Sequence, residues 1–227
     1  MNKKLVCASL VGETLSEMVS SAKKTEADLV EMRLDHIKER SDLKAIRDIK
    51  KPVIATCMPK WEGGLFCGTE EKRMAILEDA LPFVRYLTVE LNTEPKLRDR
   101  IVKKAKQNKV KVIIASHDFE KTPPLAEIIK IIARERDAGA DIAKVAFTPK
   151  NEADVLSVLR ATVEHSLSIP VIALSMGELG RASRIVGPLL GSYLTYAAES
   201  DGRKAAAGQF TVSELSGIFE RLSRNPI

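Results

Sequence analysis

Eight short apolar runs recur along the chain, at residues 4–10, 28–34, 52–57, 85–91, 111–116, 142–147, 170–174 and 193–197. Each reads as a continuous run, where a strand with one wet face would alternate polar and apolar residues. A continuous run suits a strand covered on both faces, which is what a parallel sheet between helical layers demands. The intervening segments, 14–24, 42–49, 69–82, 95–107, 124–138, 152–165, 180–186 and 211–222, read as helices, with turn residues between them. Strands alternating with helices predict parallel crossover units. Eight such units close naturally into an α/β fold of the (β/α)8 TIM-barrel type, and 227 residues suffice for one. An open doubly wound sheet is the competing architecture, but no GxGxxG follows the first strand. Without a linker or a shift in composition, residues 1–227 read as a single domain.

Composition narrows the setting. A hydrophobic content of 44% and a charged content of 30% describe an ordinary soluble protein. No apolar run approaches the ~20 residues of a membrane span, and no signal-peptide core is visible near the start. Cys7, Cys57 and Cys67 form no CxxC pair and have no neighbouring histidines. Reduced thiols in a cytoplasmic protein are therefore expected, with neither a disulfide framework nor a zinc site. The net charge of +5 is spread over helical faces such as Lys103, Lys104 and Lys106, the usual look of a solvated surface. Aromatic residues at 4% leave little for base stacking, so neither nucleic acid nor membrane is expected as a partner.

In such a barrel the active site lies at the C-terminal ends of the strands, so polar residues there carry the functional reading. Lys144 stands alone in the apolar run Ile142-Ala-Lys-Val-Ala-Phe147. Lysine is rarely buried without a partner. Desolvation favours the neutral amine, a nucleophile that condenses with carbonyls; the alternative is a structural ion pair or a side chain that snorkels to water. Glu31 and Arg33, two residues apart on a strand, share one face, either as a structural pair or as site residues. Glu62 lies in the loop Met58-Pro-Lys-Trp-Glu-Gly-Gly64, and Glu90 at a strand end suits a partner for a cation. Of three histidines, His117 alone sits at the C-terminal end of a strand, one strand before Lys144. An imidazole titrates near neutrality and suits general acid/base work. Gly177, Gly180, Ser183 and Arg184 surround an expected helix start, with Arg184 as a clamp for a carboxylate. Gln209 either contacts a hydroxylated ligand or caps its own turn. An amine, an acid/base and guanidinium clamps suit a small anionic ketone as substrate. No DxD, HxH or HExxH arrangement is present, so the reading requires no metal and no cofactor.

These residues, in this order, resemble type I 3-dehydroquinate dehydratases, and the compact archaeal-type members most. The matching stretches are Glu31-Met-Arg-Leu-Asp35, Glu62-Gly-Gly64, Ser116-His-Asp-Phe119, Gly139-Ala-Asp-Ile-Ala-Lys144, Ser175-Met-Gly177 with Gly180 and Ser183-Arg184, and Gly208-Gln209. The resemblance implies a lyase of the shikimate pathway that dehydrates 3-dehydroquinate to 3-dehydroshikimate. Lys144 would form the imine, His117 would move the protons and Glu62 would orient His117. Arg184 would bind the substrate carboxylate, with Glu31, Arg33 and Gln209 at ring hydroxyls or near the amine. Met176, Lys60, Tyr196 and Ser9 would complete the substrate site, and a homodimer is the expected assembly. Three positions depart from the family pattern. Met58 replaces a frequent arginine, for which Lys60 is the expected substitute cation. Ala205-Ala-Ala-Gly-Gln209 replaces Ser-Ala-Pro-Gly-Gln, and Tyr196 precedes a longer final loop. The rival readings are an aldolase-like Schiff-base barrel and a non-catalytic binder of shikimate-type acids.

Overall fold

The computed structural model describes residues 3–38, 42–166, 168–200, 202 and 205–224; the outermost positions of the expected 1–227 domain, 1–2 and 225–227, lie outside them. The eight expected strands form: β1 (Val6–Leu10), β2 (Leu29–Arg33), β3 (Val53–Thr56), β4 (Tyr86–Glu90), β5 (Lys111–Asp118), β6 (Ile142–Phe147), β7 (Val171–Ser175) and β8 (Thr195–Ala198). They pair in parallel in the order β7-β6-β5-β4-β3-β2-β1-β8. The two ends of this sheet meet where the Tyr193 amide donates to the Val171 carbonyl at 2.7 Å, which leaves the barrel nearly closed. The helices are α1 (Leu15–Lys24), α2 (Glu70–Ala80), α3 (Pro95–Gln107), α4 (Leu125–Asp137), α5 (Glu152–His165), α6 (Ser183–Leu189) and α7 (Val212–Arg224).

Local chemistry sets several of these boundaries. Thr14 and Asn151 accept backbone N–H bonds from Glu17 and Asp154 and so start α1 and α5. Pro95 opens α3, where a missing N–H costs nothing. The expected helix over 42–49 is instead a 3-10 turn, Leu43–Asp48, capped by Asp42. The expected helix start at 180 also moves. The Ser183 hydroxyl accepts from the Ser175 amide at 2.9 Å and donates to the Gly180 carbonyl at 2.7 Å, folding 175–183 into a tight turn before α6 begins. A Cβ at Gly180 would fall 2.4 Å from the Ser175 carbonyl carbon, so only glycine permits that turn.

Strand register puts one residue in two inside the barrel. The lower interior is apolar, with Cys7, Leu29, Ile54, Tyr86, Ile113, Ile142, Ile172 and Leu194 in one cluster. Two residues further along the same strands the interior turns polar: Ser9, Glu31, Thr56, Thr88 and Lys144 are all buried. The outward-facing positions, such as Ala8, Val30, Ala55, Leu87 and Ile114, pack with helix residues including Met18, Leu77 and Ile101. An apolar floor thus carries a polar layer at the strand ends.

Candidate active site

The parallel register opposes Ala115 to Lys144, and His117 lies two residues beyond Ala115. Lys144 and His117 therefore share the interior face of neighbouring strands. Lys144 is 7% exposed. Its Nζ lies 3.9 Å from Glu31 Oε1 and 4.3 Å from the centre of the Tyr196 ring, a cation–π approach. Glu31 accepts from Ser9 Oγ at 2.5 Å and from Thr56 Oγ1 at 2.9 Å. Burial pushes the Glu31 carboxyl up, but Lys144, Arg33 and the two hydroxyls together hold it below its ordinary value. The layer is thus a carboxylate fixed beside an amine.

Burial, with Lys144 close by, drives the His117 imidazole well below its usual value, so it is neutral at neutral pH. Glu62 Oε1 accepts the His117 backbone N–H at 2.7 Å and stands 3.4 Å from Nδ1 of the same residue. One oxygen thus holds the strand end and faces the ring. Burial lifts the Glu62 carboxyl to about 7, against the opposing pull of the His117 amide and the Arg73 and Lys144 charges. Gly63 turns the loop with φ of 82°, and a side chain there would collide with the Phe119 ring.

A cavity of about 350 Å³ opens above this layer, a size common for small-molecule sites. Its walls include Ser9, Glu31, Arg33, His117, Lys144, Met176, Arg184, Tyr196 and Gln209, all expected from sequence. Arg33 donates twice to Asp35, from Nε at 2.9 Å and Nη2 at 2.7 Å, and Asp35 also accepts the Leu65 amide. Arg184 is 2% exposed and, among the described residues, donates only to carbonyls, of Tyr196 and Ala207, both at 3.4 Å. Its Nε is buried without a partner, and desolvation lowers the guanidinium to about 10. Gln209 Oε1 accepts the amides of Ala205 and Ala206, so the glutamine caps the final loop while facing the cavity.

Lys60 departs from its expected place. It is exposed on the 3-10 turn Lys60–Glu62 and does not line the cavity, because the turn directs Glu62 inward and leaves its first residue in water. The buried cation near the end of β3 is instead Arg73, from α2, which donates to the Cys57 carbonyl and to Glu90. A charged residue on a helix rich in charges carries no signal of this in the sequence. Thr56 carries no signal of its own in the sequence, whereas Asp35 lies two residues beyond Arg33, at the spacing of the strand pattern. Among the described residues no group of three His, Cys, Asp or Glu is placed to hold a metal ion.

Residues 6–226 match the family described as Type I 3-dehydroquinase. A 3-dehydroquinate dehydratase of Methanococcoides burtonii is 41% identical over 226 residues, covering 96% of this chain and 94% of that protein. A second, from Methanosarcina mazei, is 37% identical, covering 98% and 96%. The crystal structure of a type I 3-dehydroquinate dehydratase from Clostridium difficile, solved with covalently modified comenic acid, superposes with a TM-score of 0.89 at 28% identity, covering 100% and 95%. Barrel, site and sequence agree: the chain belongs to the type I 3-dehydroquinase family.

Proposed function

We propose that this chain carries out the reaction of its family, the Schiff-base dehydration of 3-dehydroquinate to 3-dehydroshikimate, with the residues assigned as follows. Lys144 Nζ attacks the ring ketone, and loss of water gives an iminium. His117, neutral at working pH, removes a proton from the adjacent carbon, and the electron pair passes into the iminium to form an enamine. The enamine expels the ring hydroxyl, which leaves as water after taking a proton from His117. Hydrolysis of the imine then releases product and restores the amine. Glu31 and the Tyr196 face stabilise the positive nitrogen, and Glu62 orients His117. Arg184 binds the substrate carboxylate, Arg33 and Gln209 contact ring hydroxyls, and Ser9 and Met176 shape the pocket.

The observation that carries this reading is an amine and a guanidinium without a carboxylate partner on the walls of one cavity. Among the described residues no acid pairs with Arg184, so a buried cation is left to be neutralised by ligand. Family membership sets aside the aldolase-like and non-catalytic alternatives. Residues 1–227 work as one catalytic domain, over a length close to that of the curated relatives. We read the protein as a cytoplasmic homodimer with no nucleic-acid or membrane partner. The free thiols Cys7, Cys57 and Cys67 suit that compartment, and no described helix is long and apolar enough to cross a membrane.

Borohydride reduction in the presence of 3-dehydroquinate, followed by peptide mass mapping, tests the central assignment. A substrate- or product-derived adduct on the peptide carrying Lys144 is expected. An adduct on another lysine, or none while turnover continues, would overturn it.

A further inference from the structure

Arg73 is an arginine of helix α2 that is fully buried at the top of the barrel. Its guanidinium ties three elements together. Nη1 donates to the Cys57 carbonyl at the end of β3, at 3.2 Å, and to Glu90 at the end of β4. Nη2 donates to Thr93 Oγ1 at 2.8 Å and to Glu70 at 2.7 Å. Glu70 in turn accepts the Trp61 indole N–H at 3.4 Å, so the residue before Glu62 is clasped to the same network. No step of the chemistry above uses this network, yet it frames the loop that places Glu62.

We propose that Arg73 is a positioning residue for the dehydration, fixing Glu62 behind His117 and setting the charge that Glu62 presents to the imidazole, with Glu90 as its counterweight. The charged and titratable groups facing Glu62 are His117 and Asp118 from β5, Arg73 from α2, Lys144 from β6, Glu90 from β4 and Glu135 from α4. Of the two cations, Arg73 has the larger influence on Glu62. Glu62 and Glu90 repel: burial and the Glu62 charge lift the Glu90 carboxyl to about 7 despite Arg73, and removing Glu90 takes that repulsion away from the pair. A nearby guanidinium favours charge on both acids, while each acid disfavours charge on the other.

The inference rests on the His117 and Glu62 assignments above and is read in the pH profile of kcat/KM. His117 is held well below its usual value, and Glu62 and Glu90 are both lifted to about 7 and interact, so the acidic limb near neutrality is that of the coupled acids. Arg73→Met removes the favourable charge and moves that limb to higher pH, by about one unit, and Arg73→Lys restores part of the displacement. Glu90→Gln keeps the shape, removes the repulsion and moves the limb to lower pH. A purely structural role lowers the rate without moving the limb, or moves it the same way in both variants. Removing one member of a buried pair endangers the fold, so Arg73→Met is also made together with Glu90→Gln, and the Glu90→Gln shift is decisive on its own. A limb that does not move down in Glu90→Gln overturns the proposal. Borohydride trapping on Lys144 in the same proteins separates the two readings. Failure to trap in the native enzyme sinks the mechanism, whereas intact trapping with unmoved limbs sinks only the role of Arg73.

Discussion

The two walls of the cavity are built on different terms. On the wall formed by β1, β2, β3, β5 and β6, most polar groups answer one another: Ser9 and Thr56 hold Glu31, Glu31 faces Lys144, and Glu62 holds the backbone of His117, whose Nδ1 alone of these site atoms is buried without a hydrogen bond, 3.4 Å from Glu62. On the wall formed by β7, β8 and the last loop they do not. Arg184 Nε and Tyr196 Oη are buried without partners, and the guanidinium leans on two distant carbonyls. A satisfied network holds geometry before substrate arrives, as chemistry requires. An unsatisfied cation costs stability and is tolerated where a ligand completes it. The first wall is therefore the chemical one and the second the recognition one.

This division is broken most severely on the chemical wall. Lys144→Ala removes the electron sink itself, so turnover and borohydride trapping are both lost while unfolding in denaturant stays cooperative. Residual turnover at the native rate would show that the reaction does not pass through this amine. His117→Ala on the neighbouring strand loses about 10²–10⁴-fold in kcat but retains imine formation, so trapping persists while elimination does not. Unimpaired dehydration there would move the proton-transfer role to another residue.

The chemical wall was also the more legible of the two in the sequence. A lysine inside an apolar run and a histidine at a strand end stand out because strands buried on both faces leave polar residues little reason to be there. The same two-residue period that defines a strand put Glu31 and Arg33 on one face, and both reach the cavity. What stayed hidden depends on contacts between elements distant in sequence. Arg73 belongs to a helix whose first turn reads as surface, and only packing shows it buried against β3 and β4. Ser183 reads as a ligand contact, but its hydroxyl is consumed by the backbone of Ser175 and Gly180. Lys60 reads as the replacement cation for Met58, yet the turn that buries Glu62 leaves Lys60 exposed. A substitution in a loop can be compensated from a different element, and local pattern does not carry that information.

On the recognition wall the expected effects are smaller and fall on KM. Arg184→Met removes the cavity guanidinium that has no acid partner among the described residues, and kcat/KM drops by the equivalent of about 2–5 kcal/mol. Arg184→Lys recovers only part, because an ammonium cannot reproduce a two-pronged contact with a carboxylate. The stability readout sharpens the comparison. Relieving an uncompensated buried charge leaves the unliganded Arg184→Met protein at least as resistant to urea as the native one, whereas Lys144→Ala strips Glu31 of a neighbouring cation and gains nothing. An Arg184→Met variant with native KM would remove this wall from substrate binding.

The smallest effect lies in the last loop, where Ala205 lines the cavity and its amide is held by Gln209 at 2.9 Å. The loop backbone is already fixed from two sides: the Gln209 cap restrains it, and Gly208, with φ of 74°, packs so closely on the Gly177 carbonyl that a Cβ would fall 2.1 Å from the oxygen. Ala205→Ser therefore adds a hydroxyl to a prepared surface and does not need to reorganise it. One neutral hydrogen bond contributes about 0.5–1.5 kcal/mol, so KM for 3-dehydroquinate falls by about two- to tenfold with kcat unchanged. A rise in kcat instead would mean that this loop acts on the chemistry, and the two walls would no longer be separable. A KM that stays put would place the Ala205 side chain out of reach of the bound ring, leaving Arg184 to carry recognition on this side alone.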